Sequence, residues 1–499
     1  MELVFGLVGP TGVDLTKVYE SLRSQLKSVN YQAHLVKLSD LIDPYLKGKK
    51  VNASSEYDRI RNLMESGTRL REKTDQRDIV ARLGIARIKA IRTEKAGTSN
   101  KPLPRTAYIV SSFKRPEEVE LYRQAYGKAF CLISVYAPRQ SRVKDLARRL
   151  RSSVGKSTST AEEMAVQLVS RDFEEEARKS GQRVGKTFPL ADYFVSAESR
   201  SKLDENLLRL VRLSFGHPYI SPTRDEQGMF YAQASAMRSL DLSRQVGAAI
   251  TDSDGSVLAT GCNEVPKFGG GLYWGEDDFV ARDFELGNDS NVKIKSEIVE
   301  DVLSRLRQKG WLHHSLKKNS NKDLADTSLF QGDAFLKNSL IFDVIEFGRA
   351  VHAEAASITD AARRGVQIGG AKLFCTTFPC HICARHITAS GIKEVVFIEP
   401  YEKSRTAELY SDSISIEPQE LSGNRANFRA FVGVAPRSFM DFFQMNRNRK
   451  SSKGDVLDID AISENPRIKR IVLTYLMIED IIVNETRTTP GVDQWTKNQ

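Results

Sequence analysis

Two short clusters constrain this chain more than anything else in it. VHAEAA, residues 351–356, sets His352 and Glu354 two apart at a helix start; TTFPCHICARH, residues 376–386, sets Cys380 and Cys383 three apart just after Pro379. Three residues along a helix places both sulfurs on one face. One imidazole and two thiolates supply three metal ligands and leave a fourth tetrahedral position for water, the arrangement of catalytic rather than structural zinc. Thiolates at a helix start are also stabilised by the positive end of its dipole. Any fold the chain adopts must therefore present the starts of two helices to one metal.

The order H-x-E followed by P-C-x-x-C is the signature of zinc deaminases. It predicts that Glu354 does not ligate the metal. Glu354 would instead take a proton from the water and deliver it to ring N3 and the leaving amine, with attack at C4 of cytosine. Products would be a uracil ring and ammonia. A structural zinc site is the competing reading, and C-x-x-C alone would not exclude it; Pro379 and the His-Ala-Glu on the preceding helix argue against it. His381 and His386 lie close by, but a residue inside C-x-x-C usually points away from the metal. Cys375 is expected to pack in the core at the end of a strand, and His313 and His314 to be exposed.

A chain of 499 residues is too long for one ordinary core, so two domains are expected. Apolar runs at Leu3–Val8, Ala33–Leu38, Ala107–Ser111, Phe130–Tyr136 and Tyr193–Val195 alternate with helical spacing, as in a parallel α/β sheet. Gly216, His217 and Pro218 break the pattern. The expected domains are 1–215 and 216–499, the second with two strands at Val246–Thr251 and Ser256–Gly261, then a long insertion at 266–340 that should hold elements of its own. Five cysteines, three of them within nine residues, favour metal ligation in a reducing compartment over a disulfide framework. No apolar run is long enough to span a bilayer, and the opening residues read as a buried strand instead of a signal peptide, so no membrane partner and a cytoplasmic location are expected. The formal net charge of +10 suits phosphate-bearing partners, whether nucleotides or nucleic acid. Basic runs at Arg139–Lys156 and Arg447–Lys453 contribute to it; each alone reads as a solvated face.

The first strand ends in Gly9-Pro10-Thr11-Gly12 and opens a helix, which suits phosphate cradling by backbone N–H groups, with Gly9 and Gly12 as candidate nucleotide contacts. A working P-loop would continue with Lys and Ser or Thr. Here Val13 and Asp14 follow, and Asp14 would repel a phosphate. A purely structural glycine turn satisfies the same residues.

The stretch His352–Gly391 resembles the deoxycytidylate deaminase branch of the cytidine deaminase superfamily, and Ser243–Ile250 (SRQVGAAI) and Thr260–Glu264 (TGCNE) are similar to its V-G-A strand and G-x-N turn. The resemblance implies a zinc cofactor, free nucleotides as substrates, a homo-oligomer, and a hydrogen bond from Asn263 to the substrate sugar. Across nearly the whole chain the arrangement is similar to bacterial anti-phage dCTP/dCMP deaminases, carried by Asp225–Gly247, Arg349–Gly365 and Pro400–Phe442, while Tyr108–Arg139 resembles nucleotide kinases in layout. That implies an N-terminal P-loop kinase-like parallel α/β domain, here without kinase turnover, and a C-terminal cytidine-deaminase α/β/α domain with a mixed sheet. It further implies deamination of dCTP and dCMP to dUTP and dUMP, which would deplete cytosine deoxynucleotides during phage infection, and in some members inhibition by a small RNA. Lys403 and Arg405 are the candidate phosphate ligands. The alternatives are a polynucleotide cytosine deaminase acting on single-stranded DNA or RNA, and an RNA-binding module with a vestigial metal site, which the presence of Glu354 disfavours.

Overall fold

The computed structural model describes residues 1–42, 55–154, 158–174, 180–332, 334–400, 404–418, 422–445, 447–457, 466–467, 472–490 and 492. They form two compact units, one of Met1–Glu226 and Phe431–Gln499, the other of Gln227–Ala430.

The first unit is built on β1 (Glu2–Val8), β2 (Gln32–Lys37), β3 (Thr106–Ser111), β4 (Phe130–Tyr136) and β5 (Tyr193–Ser196). These lie in the spatial order β5-β4-β1-β3-β2, all parallel. β1 and β3 are buried along their whole length. This is why they read as unbroken apolar runs, with helices on both faces. Leu3, Phe5 and Leu7 pack with Val18, Leu22 and Leu26 of the helix Leu15–Lys27 and with Leu203, Leu207 and Leu210 of the helix Arg200–Ser214. Val4 and Val8 face the other way, onto Ile85 and Ile88 of the helix Ile79–Ala96 and Val119 of Pro116–Tyr126.

The second unit carries β6 (Gly247–Thr251), β7 (Val257–Cys262), β8 (Lys372–Thr377), β9 (Glu394–Glu399), β10 (Ile414–Ile416) and β11 (Ala426–Ala430), in the order β10-β11-β9-β8-β6-β7. β6 runs antiparallel to β7 and β8, and β8, β9, β11 and β10 are mutually parallel, so the sheet is mixed as expected. The long stretch between β7 and β8 does hold its own elements. The helices Ser290–Gln308 and Asn321–Phe330 meet through a small core of Val299, Ala325 and Leu329. The described residues thus form two α/β assemblies, one parallel-rich and one mixed.

A single C-terminal domain over 216–499 differs from this contact pattern, because the chain from Phe431 onward belongs to the first unit. β12 (Gly433–Val434) pairs antiparallel with β5. Val434 N–H donates to the fully buried Glu226 carboxylate at 2.8 Å, whose other oxygen accepts from Arg209 at 2.6 Å. Gly433 has φ 128°, and a Cβ there would lie 2.7 Å from the Glu226 carboxylate, so only glycine fits. Further on, the helix Val472–Thr488 sends Glu479 to Arg92 at 2.6 Å, and Arg92 also binds Glu2 of β1 at 2.9 Å. Tyr108 and Tyr475 donate their hydroxyls to Glu2. Burial opposes ionisation of Glu2, but Arg92 and these donors hold its pKa below the usual range; at Glu479 burial outweighs Arg92 and raises it.

Candidate metal centre

β8 ends at Thr377, and Phe378 N–H is tied to Glu399 O at 2.7 Å, which turns Pro379 and Cys380 into the start of the helix His381–Ala389. Cys380 is the N-cap of that helix, and its sulfur faces the Cys383 N–H at 3.5 Å. His352 is the N-cap of the helix Ala353–Arg364. This helix lies directly on β7, because a Cβ on Gly261 would fall 2.4 Å from Ala353 O and 2.5 Å from Ser357 N. The close approach that a strand glycine permits is what sets the His352 position.

The two helix starts converge. His352 Nδ1 lies 3.2 Å from Cys380 Sγ and 3.5 Å from Cys383 Sγ, and the three ligand atoms fall within 4.8 Å of one another. Without metal, the hydrogen bond from Cys383 and the His352 imidazole lower the Cys380 pKa to about 4. The Cys380 hydrogen bond raises His352 to about 9, and Cys383, which donates to Cys380 and is buried, is pushed up well above a free thiol. An imidazole and two sulfurs on neighbouring helix starts fit zinc's preference for N/S donors.

Glu354, in the first turn of the same helix, is buried, and burial followed by the Cys380 charge raises its pKa. His352, Glu354 and Cys380 line a cavity of about 270 Å³ with Asp241, Arg244, Asn263, Asp283, Asn291, Arg349 and Phe378 among its other walls. A ligand set that borders a cavity leaves room for a reactant, which a closed structural site would not.

The other predicted residues are placed as follows. Asn263 lines the cavity, but its side chain also holds the loop before β6: Oδ1 accepts from Val246 N at 2.7 Å and Nδ2 donates to Arg244 O at 2.8 Å. Arg405 is exposed and does not line the cavity, and Lys403 lies outside the described residues. His381 faces Glu346 at 3.7 Å, away from the ligand group. In the first unit, Thr11 N–H of the glycine loop donates to Asp172 at 2.5 Å, and Asp14 caps the following helix at Thr16 N and Lys17 N. Amides that could cradle a phosphate are thus held by the chain's own carboxylates. Gly12, at φ 101°, lies where a Cβ would meet Arg142 Cβ at 2.8 Å. Arg244 and Arg349 are cavity residues that sequence reasoning passes over, although both sit inside the stretches that carry the family resemblance.

Residues 222–399 match the model of the cytidine and deoxycytidylate deaminase zinc-binding region. Zinc is thus the cofactor to which both the match and the donor set point. The deoxycytidylate deaminase of Enterobacteria phage T4 is 46% identical over 55 residues, 11% of this chain and 28% of that protein. The human deoxycytidylate deaminase is 31% identical over 104 residues, 20% of this chain and 52% of that protein. The chain therefore aligns with under a third of the phage protein's length and about half of the human one's. Among solved structures, the dCMP deaminase of cyanophage S-TIM5 in complex with dCMP and dUMP covers 43% of this chain and 100% of that chain, at 17% identity and a TM-score of 0.24. Shikimate kinase from Bacteroides thetaiotaomicron covers 42% of this chain and 97% of that chain, at 14% identity and a TM-score of 0.24.

Proposed function

We propose that Gln227–Ala430 is a zinc-dependent hydrolytic deaminase of free deoxycytidine nucleotides, converting dCMP and dCTP to dUMP and dUTP with release of ammonia. The observation that carries this reading is the buried Glu354 carboxyl, which shares one cavity with His352 and Cys380 of a three-donor metal group. Zinc bound by such a set supplies Lewis-acid activation of water. Glu354 accepts a proton from the attacking water and passes it to ring N3, and then serves the amine that leaves C4. Burial raises its pKa, which favours its holding the proton between the two transfers. Asn263, held by Arg244 and Val246, would offer the sugar an amide already fixed in place.

The substrate class is supported by the deoxycytidylate deaminase relatives, and the role by the similarity to anti-phage deaminases. On this reading the activity lowers the cytosine deoxynucleotide supply during phage infection. The first unit then serves control, with a homo-oligomer and an inhibitory small RNA as partners. The test is a turnover assay of the zinc-loaded protein on dCMP, dCTP, CTP, deoxycytidine and single-stranded DNA. Uracil product from the deoxynucleotides is expected; product from DNA with none from any free nucleotide would replace this reading with a polynucleotide deaminase.

A further inference from the structure

A cavity that receives a nucleotide needs cations for the phosphate, and this one has few. Among the described residues its lining holds Arg244 and Arg349, against Asp241, Asp283, Asp289 and Glu354. Two of the carboxylates are engaged by backbone. Asp241 accepts from Ser243 N and Arg244 N at 2.9 and 3.4 Å, and Asp289 caps the helix Ser290–Gln308 at Val292 N, 3.0 Å. Asp283 instead faces Arg349, whose Nη1 donates to it at 3.0 Å.

Arg349 is rooted beside the metal group. Val351 forms a two-way β-bridge with Glu264 at 3.0 and 3.3 Å, and His352 follows directly. Its side chain is 36% exposed, against 17% for Asp283. Its backbone is thus fixed to the cavity lip, while its guanidinium rests on a carboxylate from the long stretch between β7 and β8. Arg244 faces Glu399 at 3.5 Å on the strand side of the same cavity.

We infer that Arg349 binds the 5′-phosphate of the substrate and that Asp283 is a placeholder whose seat the phosphate takes. This rests on the nucleotide reading above. Solvent reaches the Arg349 side of this pair and screens it. A phosphate presents more charge and several acceptor oxygens, and its geometry matches the guanidinium fork in two bonds, so it outcompetes a single carboxylate contact. Arg349 thereby makes the site prefer nucleotides to nucleosides.

The test uses the full-length, zinc-loaded protein with dCMP and deoxycytidine, with zinc content and melting as checks on folding. Arg349→Ala should raise KM for dCMP at least about tenfold, change kcat less than KM, and lower the dCMP-to-deoxycytidine preference. Arg349→Lys should restore part of that preference. Asp283→Asn should lower KM for dCMP, because it removes the competitor. If the pair merely ties the β7–β8 stretch in place, Asp283→Asn raises KM as Arg349→Ala does, and the inference is overturned. It is equally overturned if Arg349→Ala leaves KM and preference unchanged, or if KM holds in Asp283→Asn. A wild-type protein that turns over no nucleotide would sink the proposed function itself, and this inference with it.

Discussion

Gly261→Ala tests whether the strand–helix contact positions the metal ligand. The added methyl would lie 2.4 Å from Ala353 O and 2.5 Å from Ser357 N, about 1 Å short of ordinary contact, which begins at 3.4 Å. Both atoms are helix backbone, so no side-chain rotation relieves the clash and the helix Ala353–Arg364 must move off β7. His352 is its N-cap and moves with it. Metal–ligand distances tolerate only about 0.2 Å, so a displacement of even half the shortfall pulls the imidazole out of range. Overpacking of this kind costs about 1–3 kcal/mol of stability. Zinc affinity, measured by chelator competition, should fall at least about tenfold, if about 1.4 kcal/mol of the strain is relieved by giving up the imidazole. Activity at limiting zinc should fall in parallel. Gly369→Ala is the control, since nothing lies within 4 Å of a Cβ there. A Gly261→Ala protein that holds zinc with wild-type affinity and melts normally would refute the reasoning, because the helix would then yield without carrying His352.

Glu354→Gln should retain zinc while kcat falls by about 10²–10⁴; metal stoichiometry beside turnover checks this, and wild-type turnover would remove Glu354 from proton transfer. Zinc affinity should rise with pH, more steeply below about 9 than above it, because His352 is protonated below about 9 in the metal-free site while Cys383 stays a thiol well beyond that, and both protons must leave on binding. Titrations in buffers of different ionisation enthalpy measure that release, and a pH-independent affinity would contradict it. Arg92→Met leaves Glu2 and Glu479 buried without their shared cation and should cost about 3–5 kcal/mol near pH 7. In that variant both carboxyls hold their protons more tightly folded than unfolded, so its stability should fall as pH rises through the carboxylate range. Denaturant unfolding of variant and wild type at pH 5 and pH 8 decides it: an equal deficit at both would show that the carboxylates are not the cause.

The elements that could be read from sequence are those whose burial is local and complete. β1, β3 and β4 are buried on both faces and announce themselves as the apolar runs Leu3–Val8, Ala107–Ser111 and Phe130–Tyr136. The strands that escape notice are short or carry polar residues. β12 is two residues long, and β11 contains Asn427, whose amide closes a turn onto Ser422, and Arg429, which pairs with Glu394. What joins Phe431 onward to the first unit is a set of partners far away in sequence. Glu226 waits for Val434, and Arg92 for Glu479. Each half of such a pair is an ordinary charged residue in its own neighbourhood, and only burial, which a local pattern does not reveal, makes it structural.

The same distinction runs through the metal site. His352, Glu354, Cys380 and Cys383 could be found because each pair shares one helix start, so spacing alone encodes their geometry. Asn263 is only half readable: its turn is visible, but the contacts that occupy its amide, at Arg244 and Val246, come from the loop before another strand. Of the phosphate ligands expected at 403 and 405, Arg405 lies off the cavity and Lys403 falls outside the described residues. The cations that do line it stand more than a hundred residues apart, Arg244 before β6 and Arg349 within the β7–β8 stretch. A ligand set held by helix spacing can be read along the chain, whereas a charge set assembled across loops has to be read from the cavity wall. Substrate selectivity in this unit would therefore vary through Arg349 and Asp283 while the metal cluster stayed the same. That is why the signature residues alone would not separate a nucleoside deaminase from a nucleotide deaminase.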